Sequence, residues 1–306
     1  MVSESVKHPA LKDVKSSFEG LSGAIVAHSK WLAEWNKRII CTALAEDKNA
    51  LVESHQDCCF GKWYYGEQPT FLRQKQEFID IEKCHEAVHE QMCSIVSKSA
   101  SKASITSSDY ENFMRAETAF SWSIVKLRDE LHSLLLSFDH LTGTLNRQEF
   151  LRILDQEYAR FVRLGEPCCL VLLDIDHFKN INDQYGHAIG DKVLFSVTSY
   201  LIDHLRPYDS LCRYGGEEFL ICLPNTTLES SYAIVERIRL DLSRQEICIP
   251  EGGCVKMTAS FGIASMSVVS DLDETIKQAD KALYQAKAGG RNKIEVWKGN
   301  ARQETR

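Results

Sequence analysis

No run in this sequence stays apolar for the roughly 18 residues that mark a membrane-spanning helix, and the opening Met1-Val2-Ser3-Glu4-Ser5 has no apolar core of a secretory leader. Both absences point to a cytoplasmic protein with no membrane partner. Positive charge is also short. Lys and Arg number 36 against 43 Asp and Glu, a formal net charge of -7, which argues against a nucleic-acid partner and leaves room only for a local basic pocket. A disulfide framework is missing too. The 11 cysteines are odd in number, some adjacent as at Cys58-Cys59 and Cys168-Cys169, and suit reduced thiols or metal ligation better than pairing. No internal repeat or long low-complexity tract occurs. What the sequence has is 306 residues at 44% hydrophobic content, enough for two globular domains.

The residue pattern changes near position 139. Before it, apolar residues recur at helical spacing over 16–44, 70–97 and 109–138, separated by a Gly-, Cys- and aromatic-rich loop and by a Ser/Lys-rich turn at 97–108. After it, helices and strands alternate: helix 147–164, strand 168–175, helix 190–204, hairpin 210–223, helix 228–244, strand 257–265, helix 272–287 and a last strand at 293–297. The expected fold class is α+β in two domains. Residues 1–138 form an antiparallel helical bundle, and residues 139–306 form an α/β sandwich around a central, mostly antiparallel sheet.

Gly215-Gly216-Glu217-Glu218-Phe219 lies between apolar runs and reads as a hairpin whose Gly-Gly turn aims two carboxylates at one spot. Alone it would be an acidic surface turn. A second cluster changes its meaning: the apolar run 168–173 breaks into Asp174-Ile175-Asp176-His177-Phe178-Lys179, a buried strand with acids at its carboxyl end, where ligands gather in α/β sheets. Residues 178–183 read as a turn entering a helix. Its backbone N–H groups and Lys179 could hold a polyphosphate while Asp174 holds a divalent cation, a combination that suggests phosphoryl or nucleotidyl transfer.

With Asp139-His140-Leu141-Thr142-Gly143, Asn182-Asp183, Gly186-His187, Gly190-Asp191, Arg213-Tyr214, Ala286-Lys287 and Gly290-Arg291-Asn292 in the same order, residues 139–293 resemble the diguanylate cyclase (GGDEF) family in its GGEEF form. One departure is Thr144-Leu145-Asn146-Arg147, where the family usually carries Leu-Pro-Asn-Arg; the lost proline is expected to loosen a turn. The resemblance implies a nucleotidyl-cyclase-like fold, a GTP substrate and cyclic di-GMP as product. It implies that Asp174, Glu217 and the backbone carbonyl of Ile175 bind two Mg2+ per active site, with Glu217 also the general base and Glu218 outside the metal shell. Lys179, Lys287 and Arg291 become counter-charges to the phosphates and transition state, and Asn182, His187 and Asp191 further substrate contacts. Arg206-Pro207-Tyr208-Asp209 stands where the family carries its inhibitory product site. Arg206 and Asp209 are therefore expected to bind cyclic di-GMP in feedback, with Arg237 a secondary contact from an opposite subunit.

The first half carries another constellation. His85 and His89 are four apart in a helical pattern, so their rings share a face. Cys58-Cys59-Phe60-Gly61-Lys62-Trp63 supplies a thiol before a glycine-containing turn, and His28 sits midway along the first helix. Three histidines and a thiolate complete a tetrahedron. His55, Cys59 and Cys84 are nearby donors, although Cys84 projects about 100° around the helix from His85. The order His, Cys-x-Phe-Gly-x-Trp, His-x-x-x-His resembles the chemoreceptor zinc-binding (CZB) domain over about 16–138. That resemblance implies His28, Cys58, His85 and His89 as ligands of one Zn2+ per chain. The combination resembles the bacterial zinc-sensing diguanylate cyclases and implies that zinc inhibits.

Phe113, Phe120, Ile124, Leu127, Leu131, Leu134 and Phe138 recur at intervals of seven, four and three. The first half of this seam suits packing within its own bundle, and the part from Leu127 to Phe138 is expected to pair with its twin in a second subunit. One domain offers one GTP site, and a two-fold symmetric product calls for two facing each other, hence a homodimer. The expected function is a zinc-responsive diguanylate cyclase in bacterial signalling. The alternative is a non-catalytic cyclic di-GMP receptor with a structural helical interaction module, which the intact Asp174, Lys179, Glu217 and Lys287 argue against.

Overall fold

In the computed structural model, which describes residues 9–40, 54–249 and 253–298, the chain divides between Leu136 and Ser137 into two units. The first holds α1 (Leu11–Ile40), α2 (Cys59–Tyr64), α3 (Thr70–Arg73), α4 (Gln76–Ala100) and α5 (Ser107–Leu136). Val14, Ser17, Leu21, Ala24 and His28 form the buried stripe of α1 at three- and four-residue spacing, with Trp35 seven residues on, and α1 and α4 both pack along α5. The expected end of the first helix, 41–44, lies outside the described residues. The expected helix 70–97 is broken: Lys75 N–H turns back to Leu72 O at 3.1 Å, which ends α3 before α4 begins. The loop after Cys58 is a short helix, with the cysteine sulfur as its N-cap acceptor.

The apolar seam of α5 is consumed by its own chain. Phe113, Phe120, Ile124, Leu127 and Leu131 are all buried, the last two at 0% exposure, so the expected pairing of Leu127 and Leu131 with a twin helix is corrected. A helix in the middle of a bundle and one strand of a coiled coil share this spacing; what separates them is how many neighbouring faces the chain itself supplies. Trp122 and Leu136 are the large apolar residues α5 leaves most exposed, at 64% and 65%.

The second unit runs α6 (Arg147–Leu164), β1 (Cys168–Ile175), α7 (Phe178–Tyr185), α8 (His187–His204), β2 (Ser210–Arg213), β3 (Glu218–Pro224), α9 (Leu228–Arg244), β4 (Glu246–Cys248), β5 (Cys254–Lys256), β6 (Ala259–Ser265), α10 (Leu272–Ala288) and β7 (Ile294–Val296). Its central sheet has the order β2-β3-β1-β6-β7, antiparallel except where β7 joins β6. This is the expected mostly antiparallel α/β sandwich. β1 is buried along its whole length, and its alternation divides the core. Cys169, Val171, Leu173 and Ile175 pack with Ile181, Val193 and Val235 of α7, α8 and α9, whereas Cys168, Leu170 and Leu172 pack with Phe150, Leu154 and Leu283 of α6 and α10.

Gly262 of β6 lets α10 lie directly on the sheet. A Cβ there would stand 2.1 Å from Ala279 O and 2.3 Å from Leu283 N, backbone atoms with nowhere to go. Gly262→Ala is therefore expected to destabilise the second unit by about 1–3 kcal/mol or more, read as a lowered urea midpoint in far-UV circular dichroism. Gly23→Ala in α1, where an added Cβ meets nothing within 4 Å, should instead be neutral or stabilise by up to about 1 kcal/mol.

Candidate functional site

The sheet places its acids at one end. Antiparallel register sets Asp174 of β1 directly opposite Glu218 of β3, and Ile175 N–H donates to Glu217 O at 3.3 Å, tying the hairpin turn to the strand end. Lys287, on the last turn of α10, reaches Asp174 Oδ2 at 2.7 Å. Burial holds Asp174 above its ordinary value even against that lysine. Burial and then the Asp174 charge do the same to Glu217 and to Glu218. Three crowded carboxylates facing one ion-paired lysine leave the corner short of positive charge. A hard divalent cation with oxygen ligands supplies that charge, so the donor set fits Mg2+.

The hairpin turn is longer than a Gly-Gly pair. β2 ends at Arg213 and β3 starts at Glu218; Tyr214 N–H and Gly215 N–H both donate to Glu218 O, at 2.8 and 3.2 Å. Neither Gly215 nor Gly216 takes the left-handed backbone. Gly215 instead makes room, since a Cβ there would lie 2.5 Å from Glu218 Oε2. The turn is braced from below by residues that sequence reasoning quoted without a role. Arg213 donates through Nε and Nη2 to Gly216 O at 3.0 and 2.6 Å and through Nη1 to Asp139 Oδ1 at 3.5 Å, while Asp139 also accepts the N–H and hydroxyl of Thr142. The departure at 144–145 is tied into this brace. Leu145 N–H donates to Leu211 O at 3.3 Å, a bond proline cannot make, and Thr144 Oγ1 accepts from Arg213 N at 3.1 Å.

Asp176 is a second residue whose role the sequence did not reveal. Its carboxylate accepts from the hydroxyls of Thr258 and Ser260, each at 2.7 Å, and from Asn292 N at 2.9 Å. Arg239 adds two bonds to Asn292, at 3.1 Å to its O and 2.8 Å to its Oδ1. Together they clamp a turn in which Gly290, Arg291 and Asn292 all have positive φ (108°, 59° and 47°), and this turn presents Arg291. The signal available beforehand was an acid one residue beyond a fully buried strand, which needs donors to be tolerated there.

The other expected substrate residues stand on α7 and α8. Lys179 is exposed on the first turn of α7, which His177 opens in a left-handed conformation (φ 57°). Asn182 lies against Gly190, where a Cβ would stand 1.9 Å from Asn182 Oδ1. This contact puts Asn182 beside the neighbouring Asp191, and His187 opens α8. In the proposed product site, Asp209 Oδ2 accepts Arg206 N–H at 2.8 Å, and Asp209 Oδ1 is buried without a hydrogen bond among the described residues. Burial pushes the Asp209 carboxyl up. The Arg206 guanidinium is exposed over Tyr208. Arg237 donates to His204 O, the end of α8 on its own chain, at 3.2 Å.

In the first unit, ligand atoms of His28, Cys58, His85 and His89 lie within 4.8 Å of one another, and all four residues are buried. A tetrahedral zinc site with bonds of about 2.0–2.3 Å has donor atoms roughly 3.3–3.8 Å apart, so small side-chain rotations close this set. Cys58 Sγ already stands 3.4 Å from His85 Nε2 and accepts Gly61 N–H at 3.2 Å. Both ring nitrogens of His28 are buried without a hydrogen bond among the described residues, which costs about 1–3 kcal/mol per group when nothing binds them. Burial, with the neighbouring His89, lowers the His28 pKa to about 4, and burial lowers His85 further. Neutral imidazole is the form that binds a metal. The motif's aromatics and glycine build the cage: Phe60 packs on His85 at 4.9 Å, a Cβ at Gly61 would strike His55 O at 2.0 Å, and Gly20 of α1 leaves space for Trp63. Cys59 and Cys84 stay outside the cluster. Phe120 of α5, unassigned from sequence beyond the apolar seam, stacks on His85 at 4.9 Å.

Residues 136–293 match the family described as "Diguanylate cyclase, GGDEF domain", and residues 28–96 match the "Chemoreceptor zinc-binding domain". The response regulator PleD of Caulobacter vibrioides (strain NA1000 / CB15N) is 41% identical over 172 residues, 55% of this chain and 38% of that protein. Diguanylate cyclase DosC of Escherichia coli (strain K12) is 35% identical over 175 residues, 57% of this chain and 38% of its own length. The chain thus spans less than half of these curated relatives. Among solved structures, the coiled coil and GGDEF domain of DgcB from Caulobacter crescentus, in complex with c-di-GMP, superimposes with a TM-score of 0.56 at 32% identity, covering 60% of this chain and 98% of that one. Diguanylate cyclase SiaD from Pseudomonas aeruginosa, in complex with its activator SiaC, gives 0.51 at 27% identity over 88% of this chain and 99% of that one.

Metal analysis of the gently purified chain is expected to find about one zinc per polypeptide, as a closed His/Cys set requires. Cys58→Ala and His28→Ala should lose it and Cys59→Ala should keep it. Retention in Cys58→Ala with loss in Cys59→Ala would move the thiolate ligand by one position.

Proposed function

Because this chain belongs to the GGDEF family of diguanylate cyclases, we propose that it condenses two GTP molecules into cyclic di-GMP and releases two pyrophosphates. The observation that carries this reading is the cation-deficient corner where Asp174, Glu217 and Glu218 meet Lys287. Asp174, Glu217 and the carbonyl of Ile175 hold two Mg2+, which when bound polarise the phosphates and acidify the attacking ribose hydroxyl. Glu217 takes the 3′-hydroxyl proton. Lys179, Lys287 and Arg291 counter the negative charge that builds on the transferred α-phosphate and the leaving pyrophosphate, and the clamp on the 290–292 turn keeps Arg291 aimed. Asn182, His187 and Asp191 orient the nucleotide. Each chain contributes one such site, so the reaction proceeds in a homodimer with two sites facing each other. Arg206 and Asp209 bind the product in feedback, the guanidinium fork suiting a guanine edge or phosphate. The reading places the protein in the cytoplasm; among the described residues no helix is long and apolar enough to cross a membrane.

The His28, Cys58, His85 and His89 cluster takes zinc in this reading, and zinc inhibits the cyclase. The contact that supports a coupling is Phe120, which stacks on His85 and belongs to the helix that runs uninterrupted to Leu136, next to the first residue of the cyclase unit. His85 Nε2, already 3.4 Å from Cys58 Sγ, would be fixed in one seating by a bound zinc, and Phe120 would carry that seating to α5.

Purified chain with GTP and Mg2+ is expected to give cyclic di-GMP by chromatography, and Glu217→Gln to lower turnover about 100-fold or more with the fold kept. Near-normal turnover in that variant would remove Glu217 from the chemistry. Protons and Mg2+ compete for carboxylates that burial already holds high, so activity is lost on acidification sooner than ordinary carboxylates would lose it. The acid limb of kcat/KM should move to lower pH as Mg2+ is raised, and a limb indifferent to Mg2+ would separate these groups from the metal.

Stripping zinc with a chelator of soft donors, Mg2+ being kept in excess, is expected to raise turnover, and Cys58→Ala to show the raised rate without treatment. Equal rates with zinc bound and removed would make the metal a staple of the bundle and no regulator.

A further inference from the structure

Among the described residues two cysteine pairs bring their sulfurs together, and they differ in everything except distance. Cys168 and Cys222 lie 3.6 Å apart inside the core, at 3% and 0% exposure, where no reagent reaches. Cys248 and Cys254 lie 3.5 Å apart and both are exposed. They sit directly across from each other on β4 and β5, a hairpin separate from the central sheet.

The ladder fixes what kind of pair this is. Ile249 N–H donates to Gly253 O at 3.1 Å, so that pair is hydrogen-bonded and its neighbour, Cys248 with Cys254, is the non-hydrogen-bonded kind. In such pairs the Cα atoms stand about 4.5 Å apart and the side chains approach most closely. A disulfide needs Cα atoms about 4.4–6.8 Å apart, so the backbone need not move for one to close.

We propose that Cys248 and Cys254 are an oxidisable dithiol, a modification site that a low-molecular-weight disulfide closes into a cross-strand bond. One cysteine thiolate attacks a sulfur of the small disulfide; a mixed disulfide forms and one small thiolate leaves. The second cysteine thiolate then attacks the protein sulfur of that mixed disulfide and the second small thiolate leaves. Two protein thiols lose two protons and two electrons, and the reagent is reduced to two small thiols. The site is not remote from the chemistry of the unit: Cys254 lines one open cleft with Asp176, His177, Asn180 and Thr258, and Thr258 holds the carboxylate that clamps the Arg291 turn.

The sequence supplies a direct readout. Trypsin cutting after Arg244 and Lys256 releases residues 245–256, which contain Cys248 and Cys254 and no other cysteine. Zinc-loaded full-length protein is treated with oxidised glutathione at a concentration that modifies the exposed Cys93, then alkylated and digested. The expected product is this peptide about 2 Da lighter than its dithiol form, unalkylated and restored by dithiothreitol. In Cys248→Ser the resolving thiol is gone, and Cys254 should keep its glutathionyl adduct. A wild-type peptide that takes up two alkyl groups, or carries glutathione as stably as the Cys248→Ser peptide does, would overturn the proposal.

Discussion

Asp174 and Lys287 meet at 2.7 Å at the end of a strand whose other side chains are all buried. A carboxylate there must either find positive charge or stay protonated, and the fold brings the charge to it. Gly262 allows α10 to lie on β6 with its backbone nearly touching the sheet, and only from that seat does the last turn of α10 carry Lys287 to the strand end. Register then sets Glu218 opposite the same aspartate and the turn sets Glu217 beside it. One lysine cannot balance three acids, and the residual negative charge makes the corner a candidate cation site rather than a finished ion-pair network.

How far this was legible in the sequence depends on whether the signal was local. The helix Arg147–Leu164 and the strand Cys168–Ile175 have the bounds expected from sequence, because Asn146 caps the helix through its own side chain, Gly165 ends it in a left-handed turn (φ 69°), and six unbroken apolar residues mark the strand. The hairpin β4–β5 escaped because three-residue strands with polar faces carry almost no periodic signal. The α5 seam was read as partly intermolecular because spacing reports a buried stripe and not who buries it. Residue identities pointed to Asp174, Glu217 and the four His/Cys donors, while Arg213, Asp139 and Asp176 went unassigned because their work is holding backbone, which only three-dimensional hydrogen bonding reveals.

The zinc cluster shows why aromatic residues surround it. Phe60 and Phe120 pack on His85, and Trp31 stacks on His89 at 5.0 Å. These rings exclude water, which favours the neutral form of His28 and His85, and they leave the ring nitrogens of His28 without a hydrogen bond among the described residues. The same wall therefore raises the free energy of the empty site and couples its geometry to the helices that carry the rings. A site made of polar second neighbours would relax locally on losing its metal. One enclosed by packed rings has its nearest neighbour on α5, through Phe120, and interiors at crystal-like density repack instead of deforming smoothly.

The two candidate metal sites use burial with opposite consequences for charge. In the first unit burial lowers the pKa values of His28 and His85 and yields neutral nitrogens beside a cysteine sulfur, a donor set that favours a borderline-soft ion held tetrahedrally. In the second, burial raises carboxylate pKa values and yields oxygens short of positive charge, a donor set that suits a hard ion. Acidification works against the oxygen donors, whose carboxylates burial already holds toward the protonated form, whereas burial displaces His28 and His85 the other way, toward the neutral form that binds a metal.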